Sequence, residues 1–332
     1  MATVSLCMIV RNEEAVLAES LRRIAPLAEE IIIVDTGSKD RTIEIAQSFD
    51  ARVEHFTWID DFSAARNYCL QFARCEYVLT WDADCLLSES SLGFLQQLKD
   101  ADFQKLDVIF GAWHVELDAN HNPVKTIPKP LLFKREKFKW VSPVHNQLVP
   151  LKKDQQVNKQ LFPQIELTHL KDKHENRGRY SQTRRILESL QATGKLSTKQ
   201  VFNYAESLFF DKEYLEAQGY LERFLQENQT GDQVLTILAL EKLLQIAINL
   251  DDLTLITKLV NKYTSKFALE PRFILIQADL SALGGEPDAT RLYRKYLVHP
   301  VNFESDPWHL FDHYLYTTHP RIMLKKLSRA NT

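Results

Sequence analysis

The chain has 332 residues, a formal net charge of −3, 45% hydrophobic and 26% charged residues. This is the composition of a globular protein long enough for about two domains. The near-neutral balance argues against a general nucleic-acid binder, which carries a basic surface. Cys7, Cys69, Cys75 and Cys85 sit in apolar stretches with no Cys-x-x-Cys pair, the pattern of buried reduced thiols in a cytosolic protein. The apolar run at 1–10 ends at Arg11-Asn12-Glu13-Glu14, too short for a signal core. No stretch approaches about 18 consecutive apolar residues, so no membrane span is expected and the cytoplasm is the expected location.

Taken in chain order, the first hundred residues alternate strands and helices. Residues 4–10 read as a buried strand, and 14–24 carry apolar residues at helical spacing (Val16, Leu17, Leu21, Ile24) with Pro26 as a stop. Ile31-Ile32-Ile33-Val34 is a β-branched run of the kind buried on both faces of a parallel sheet. A turn at 35–38 leads to a helix at 40–48, capped by Ser38 or Asp40. A strand at 52–56, a helix at 62–72 and a strand at 77–81 follow, the last ending at Asp82-Ala83-Asp84. Such alternation implies a parallel sheet with right-handed crossovers.

From about 103 to 170 short strands are expected at 108–110, 113–117, 131–133 and 165–167, with Pro128, Pro130, Pro143 and Pro150 disfavouring helices. Beyond about 173 the pattern is helix after helix. Three stretches, 202–228, 240–267 and 273–299, resemble one another as degenerate helical hairpins of the tetratricopeptide kind. The expected organisation is therefore an α/β domain over 1–175 with a mostly parallel, Rossmann-like sheet, followed by an all-helical repeat domain over 176–332 that stacks on itself and on the first domain.

Three motifs carry chemistry. Asp82 and Asp84 bracket one residue at a strand end, where ligand sites of open parallel sheets lie. Carboxylates there suit Mg²⁺ or Mn²⁺, which can bridge a diphosphate and offset charge on a leaving group. Asp35 also ends a strand, beside Gly37, and is placed either to accept hydrogen bonds from a base or ribose or to cap the next helix. In Asp60-Asp61-Phe62-Ser63-Ala64-Ala65-Arg66-Asn67, Asp61 or Ser63 caps a helix, and Arg66 offers planar bidentate bonding to phosphate.

Together, residues 5–14, 31–42, 60–67 and 77–84 resemble, in order, family 2 glycosyltransferases of the GT-A fold. More narrowly, the chain resembles the subgroup whose α/β domain is followed by tetratricopeptide-like helices, including bacteriocin peptide S-glycosyltransferases and enzymes similar to lipopolysaccharide-core glucosyltransferases. The resemblance implies a UDP-sugar donor held through Val10, Asn12, Glu13, Asp35 and Gly37. It places Arg66, with Asn67, toward the diphosphate, and Asp82 and Asp84 on Mg²⁺ or Mn²⁺. It implies inversion by a single displacement that needs one base, and a peptide, protein or glycan acceptor. Two positions depart from the family pattern: Cys85 stands where an acid usually follows, and Val144-His145-Asn146 where Val-His-Glu is common.

Base candidates are His114, Glu116, Asp118, His145 and His169, and His169 is equally a third metal ligand or diphosphate contact. Two other readings compete. One is a non-catalytic helical-repeat interaction protein with a degenerate α/β platform. The other is a nucleotidyltransferase, disfavoured because Arg11-Asn12-Glu13-Glu14 is not a Gly-rich basic loop. The basic end, Arg321, Lys325, Lys326 and Arg329, reads as a solvated helix end or a weak peripheral membrane contact. A homodimer is one option for the oligomeric state.

Overall fold

A computed structural model describes residues 2–101, 105–118, 120, 122–169, 177–229, 231–301, 311–312 and 314–330. The chain divides into two compact units, Met1–Arg177 and Gly178–Thr332.

The first unit contains β1 (Val4–Val10), α1 (Leu17–Ile24), β2 (Glu30–Asp35), α2 (Thr42–Gln47), β3 (Arg52–His55), α3 (Phe62–Leu70), β4 (Tyr77–Trp81), β5 (Cys85–Leu87) and α4 (Glu89–Asp100). The remainder is β6 (Val108–Leu117), β7 (Pro123–Lys134), β8 (Phe138–Val141), β9 (Gln147–Pro150) and β10 (Lys159–His169). Eight of these strands lie in one sheet in the order β3-β2-β1-β4-β7-β6-β10-β5, and β8 and β9 pair separately. Because β1 is central and covered on both faces, every second residue goes to a different core. Leu6 and Met8 pack with Leu17, Leu21 and Ile24 of α1, whereas Cys7 packs with Ile32, Val34 and Cys69 of α3. Buried Trp81 fastens the sheet to α1 through Nε1 donating to Ser20 Oγ at 2.8 Å.

The strands expected separately at 108–110 and 113–117 form one continuous β6, and that at 131–133 is the end of a much longer β7. Pro128 and Pro130 disfavour helix, as expected, and both lie within β7. They sit two residues apart, so their missing N–H groups fall on one side of the strand, and β4 pairs only with residues 132–134. Gly111 of β6 is packed shut: a Cβ there would lie 2.8 Å from the Ile165 carbonyl oxygen and from methyls of Leu131 and Leu167.

The second unit holds α5 (Arg177–Ala192), α6 (Thr198–Phe210), α7 (Tyr214–Glu227), α8 (Gln233–Leu250), α9 (Thr254–Phe267), α10 (Pro271–Leu283), α11 (Ala289–Val298) and α12 (His319–Ala330). Successive hairpins α6/α7, α8/α9 and α10/α11 match the three similar stretches, with earlier starts where caps are strong. Ser197 and Gln200 form a reciprocal capping box before α6, and Asp232 accepts from Val234 and Leu235 amides at 2.9 and 3.1 Å before α8. Helix α8 packs against α6, α7, α9 and α10. At 18 residues and mean hydropathy 1.4 it is long and apolar enough to cross a membrane, but half of that window is buried inside the unit, as in a core helix.

Candidate functional site

The candidate residues converge because of strand direction. β2 and β4 run parallel to β1, β7 runs antiparallel to β4 and β6, and β10 runs parallel to β6. The carboxyl ends of β1, β2, β4, β6 and β10 therefore share one edge of the sheet. The amino-terminal half of β7 reaches the same edge.

At the β1–β2 end, Val10 and Asp35 are register partners. The loops that follow are stitched together. Asn12 N–H donates to Ser38 Oγ at 2.9 Å, Lys39 N–H to Asn12 Oδ1 at 2.8 Å, and Glu13 N–H to Thr42 Oγ1 at 2.7 Å. Asn12 takes a left-handed φ of 54°, which asparagine tolerates. Asp35 is buried, and its carboxylate accepts from the amides of Gly37 at 3.0 Å and Ser38 at 3.1 Å. It thus braces its own turn rather than capping α2. Gly37 has φ +106° with open space where a Cβ would stand, so the turn needs glycine for its backbone, not for room.

Arg66 is delivered by α3, whose start is capped by Asp61 accepting from Ala64 N–H at 2.9 Å. Its guanidinium donates to Asp82 Oδ1 at 2.7 Å and Thr80 Oγ1 at 3.0 Å and stacks 5.0 Å from the Trp140 ring. Its Nε–H is buried and has no hydrogen-bond partner among the described residues. The other Asp82 oxygen accepts from Lys129 Nζ at 2.6 Å. Lys129 is buried, also donates to Cys85 Sγ at 3.2 Å, and lies 4.2 Å from the Trp113 ring centroid. Burial works against its charge, but Asp82 overcomes that and raises its pKa above the ordinary value. Burial pushes the Cys85 thiol up to about 11, keeping it protonated at neutral pH. Asp84 is only 4% exposed.

Sequence reasoning missed Lys129. The available signal was a charged residue between Pro128 and Pro130, in a stretch whose hydrophobic neighbours enter the core. Asn67, expected to face the donor, instead receives Trp140 N–H at 2.9 Å and donates to the Trp140 carbonyl at 2.8 Å, tying α3 to β8. His114 Nδ1 lies 2.9 Å from Thr126 Oγ1, and its Nε2 is 3.6 Å from Glu166. Burial lowers the His114 pKa, with Glu166 opposing. Glu116 pairs with Lys125 at 3.1 Å. His145 is exposed, at φ 50°, in a loop whose Pro143 carbonyl accepts from Phe62 N–H at 2.9 Å, so that loop is attached to the start of α3. The backbone of His169 is the register partner of Cys85; its side chain lies outside the described residues. Among the described residues no three His, Cys, Asp or Glu side chains are grouped to hold a metal ion.

Residues 5–150 match the model of Glycosyl transferase family 2. The chain carries a glycosyltransferase family 2 domain. Strand ends and loops that surround Asp35, Arg66, Asp82 and Asp84 all fall within that domain, as does Lys129. A TPR repeat-containing protein of Synechococcus elongatus is 48% identical over 84 residues, covering 25% of this chain and 21% of its own. The SPbeta prophage-derived glycosyltransferase SunS of Bacillus subtilis is 32% identical over 93 residues, covering 27% and 22%. The matches thus span about a fifth of the length of these two relatives. Among solved structures, glucosyl-3-phosphoglycerate synthase from Mycobacterium tuberculosis is similar over 59% of this chain and 81% of its own, at 16% identity and a TM-score of 0.40.

Proposed function

We propose that this chain transfers a hexose from a UDP-sugar to a peptide, protein or cell-surface glycan acceptor, with inversion and with Mg²⁺ or Mn²⁺ at the donor diphosphate. One observation carries the reading: within a family 2 domain, a single sheet edge gathers a braced strand-end carboxylate (Asp35), an anion-binding guanidinium (Arg66) and the Asp82/Asp84 pair. Asp35 with Gly37 and the stitched segment at Val10, Asn12 and Glu13 would hold uridine. A carboxylate has more lone pairs than the two amides of its turn use. Arg66 would donate its buried Nε–H to a diphosphate oxygen.

The residues present fit a metal of this kind. Mg²⁺ is commonly held by one or two carboxylates plus substrate phosphates, not by an all-protein cage, and Asp82 and Asp84 supply two. When bound, the ion would offset the charge developing on the departing diphosphate. His114, Glu116 and His145 are the base candidates. Of these His114 is held neutral by burial, the state a proton acceptor requires. The helical unit would select the acceptor, since all the donor-side groups lie in the first unit. Deleting residues 178–332 should leave donor hydrolysis and remove transfer to acceptor. The central test is incubation with a UDP-sugar panel and Mn²⁺. Slow UDP release without acceptor is expected, and no release together with no UDP binding by calorimetry removes the proposal.

A further inference from the structure

We propose that Lys129 is a built-in counter-cation of the donor site, occupying Asp82 so that a divalent ion enters together with the donor diphosphate rather than alone. This deepens the nucleotide-sugar reading and rests on it.

The argument starts from the Asp82 carboxylate. Arg66 holds one of its oxygens at 2.7 Å and Lys129 the other at 2.6 Å. Both are charge-assisted contacts at the short end of their range. Lys129 is not a surface side chain that happens to reach Asp82. It is 9% exposed, seated between the Asp82 oxygen, the Cys85 sulfur and the Trp113 ring, and it springs from a strand position locked between two prolines.

Two cations, Arg66 and Lys129, therefore hold both oxygens of the Asp82 carboxylate. A dication arriving alone would have to leave water for a buried site whose carboxylate already holds two cations. It would also have to compete with an ammonium for Asp82. Arriving with a diphosphate, its charge is matched, and the phosphate oxygens offer Lys129 and the orphan Arg66 Nε–H new acceptors. Cys85, not a carboxylate, follows Asp84, and its sulfur accepts from Lys129.

The test measures metal binding directly, through the loss of the free Mn²⁺ electron paramagnetic resonance signal, with and without UDP. It uses the full chain and its Lys129→Met, Lys129→Gln and Lys129→Arg variants, each checked by thermal melting. In the unsubstituted protein UDP should tighten Mn²⁺ about tenfold or more, within the usual range of coupling between two ligands. Lys129→Met and Lys129→Gln should bind Mn²⁺ alone about tenfold more tightly and lose most of that coupling, while Lys129→Arg keeps the original pattern. Mn²⁺ bound equally well with and without UDP by the unsubstituted protein overturns the inference and leaves the sugar-transfer reading standing. So does unchanged Mn²⁺ affinity in whichever neutral variant folds. Failure to bind UDP under any metal condition overturns both.

Discussion

Each unit buries an ionic cluster, and the two are built for opposite ends. In the α/β unit, Asp82, Arg66 and Lys129 meet at strand ends, beside loops, and Arg66 retains a buried donor with no partner among the described residues. In the helical unit, Arg272 of α10 donates to the Tyr316 hydroxyl, which sits 2.9 and 2.8 Å from the Glu241 oxygens of α8 and donates into that carboxylate. Tyr296 of α11 adds to the set by donating to the Tyr316 carbonyl at 2.7 Å. Arg272 is 1% exposed and Tyr316 2%. The second cluster joins α8, α10, α11 and Tyr316, three residues before the start of α12. Buried charge alone is therefore not a sign of chemistry. A cluster that ties helix to helix holds a fold together, whereas one at a sheet edge with a donor to spare can receive a ligand.

The largest effect that would break this contrast is on stability. Arg272→Met leaves the Glu241 carboxyl and the Tyr316 hydroxyl buried without their cation. It should cost about 3–5 kcal/mol by chemical denaturation, the usual result of removing one partner from a buried pair. UDP affinity should not change. A variant as stable as the parent would mean that the helical cluster is incidental.

Asp84→Ala should do the reverse. Turnover should fall at least about a hundredfold, the scale of removing one electrostatic contact to a transition state, with the melting curve essentially retained. Near-parental UDP release in the presence of a chelator would refute the metal assignment. Asp35→Ala should weaken UDP binding by about 1–3 kcal/mol, the cost of leaving buried partners unpaired. Calorimetry with an unaltered affinity would take Asp35 out of the nucleotide site and leave it only its turn.

The smallest effect concerns pH. Burial pushes the Glu241 carboxyl up to about 7 from an ordinary 4.5, with Arg272 opposing. Its native pKa thus exceeds its unfolded one. The stabilisation is full below about 4.5, where both states are protonated, and is lost as pH rises toward 7, because the unfolded chain releases the proton first. Melting temperature should decline over that window, and Glu241→Gln should flatten the decline. A parent curve that rises there would show that Arg272 keeps Glu241 ionised.

Much of this was legible in the chain itself. Strand periodicity and β-branched runs marked β1, β2 and β4, because burial on both faces demands continuous apolar sequence. The acids at 35, 82 and 84 were visible because they end those runs, and Asp61 because a cap must precede its helix. What the sequence did not disclose depends on neighbours far along the chain. Lys129 belongs to Asp82 only because β7 turns back antiparallel to β4, 47 residues away in sequence. Asn67 left the donor set because the backbone of Trp140, 73 residues on, offered it a donor and an acceptor. Pro128 and Pro130 excluded a helix from the sequence alone, but that both fall inside one long strand was decided by the ladder. Local propensity and polarity patterns follow from the chain alone. Which charge meets which, and whether a buried charge is satisfied or still has capacity for a ligand, is decided when distant segments pack.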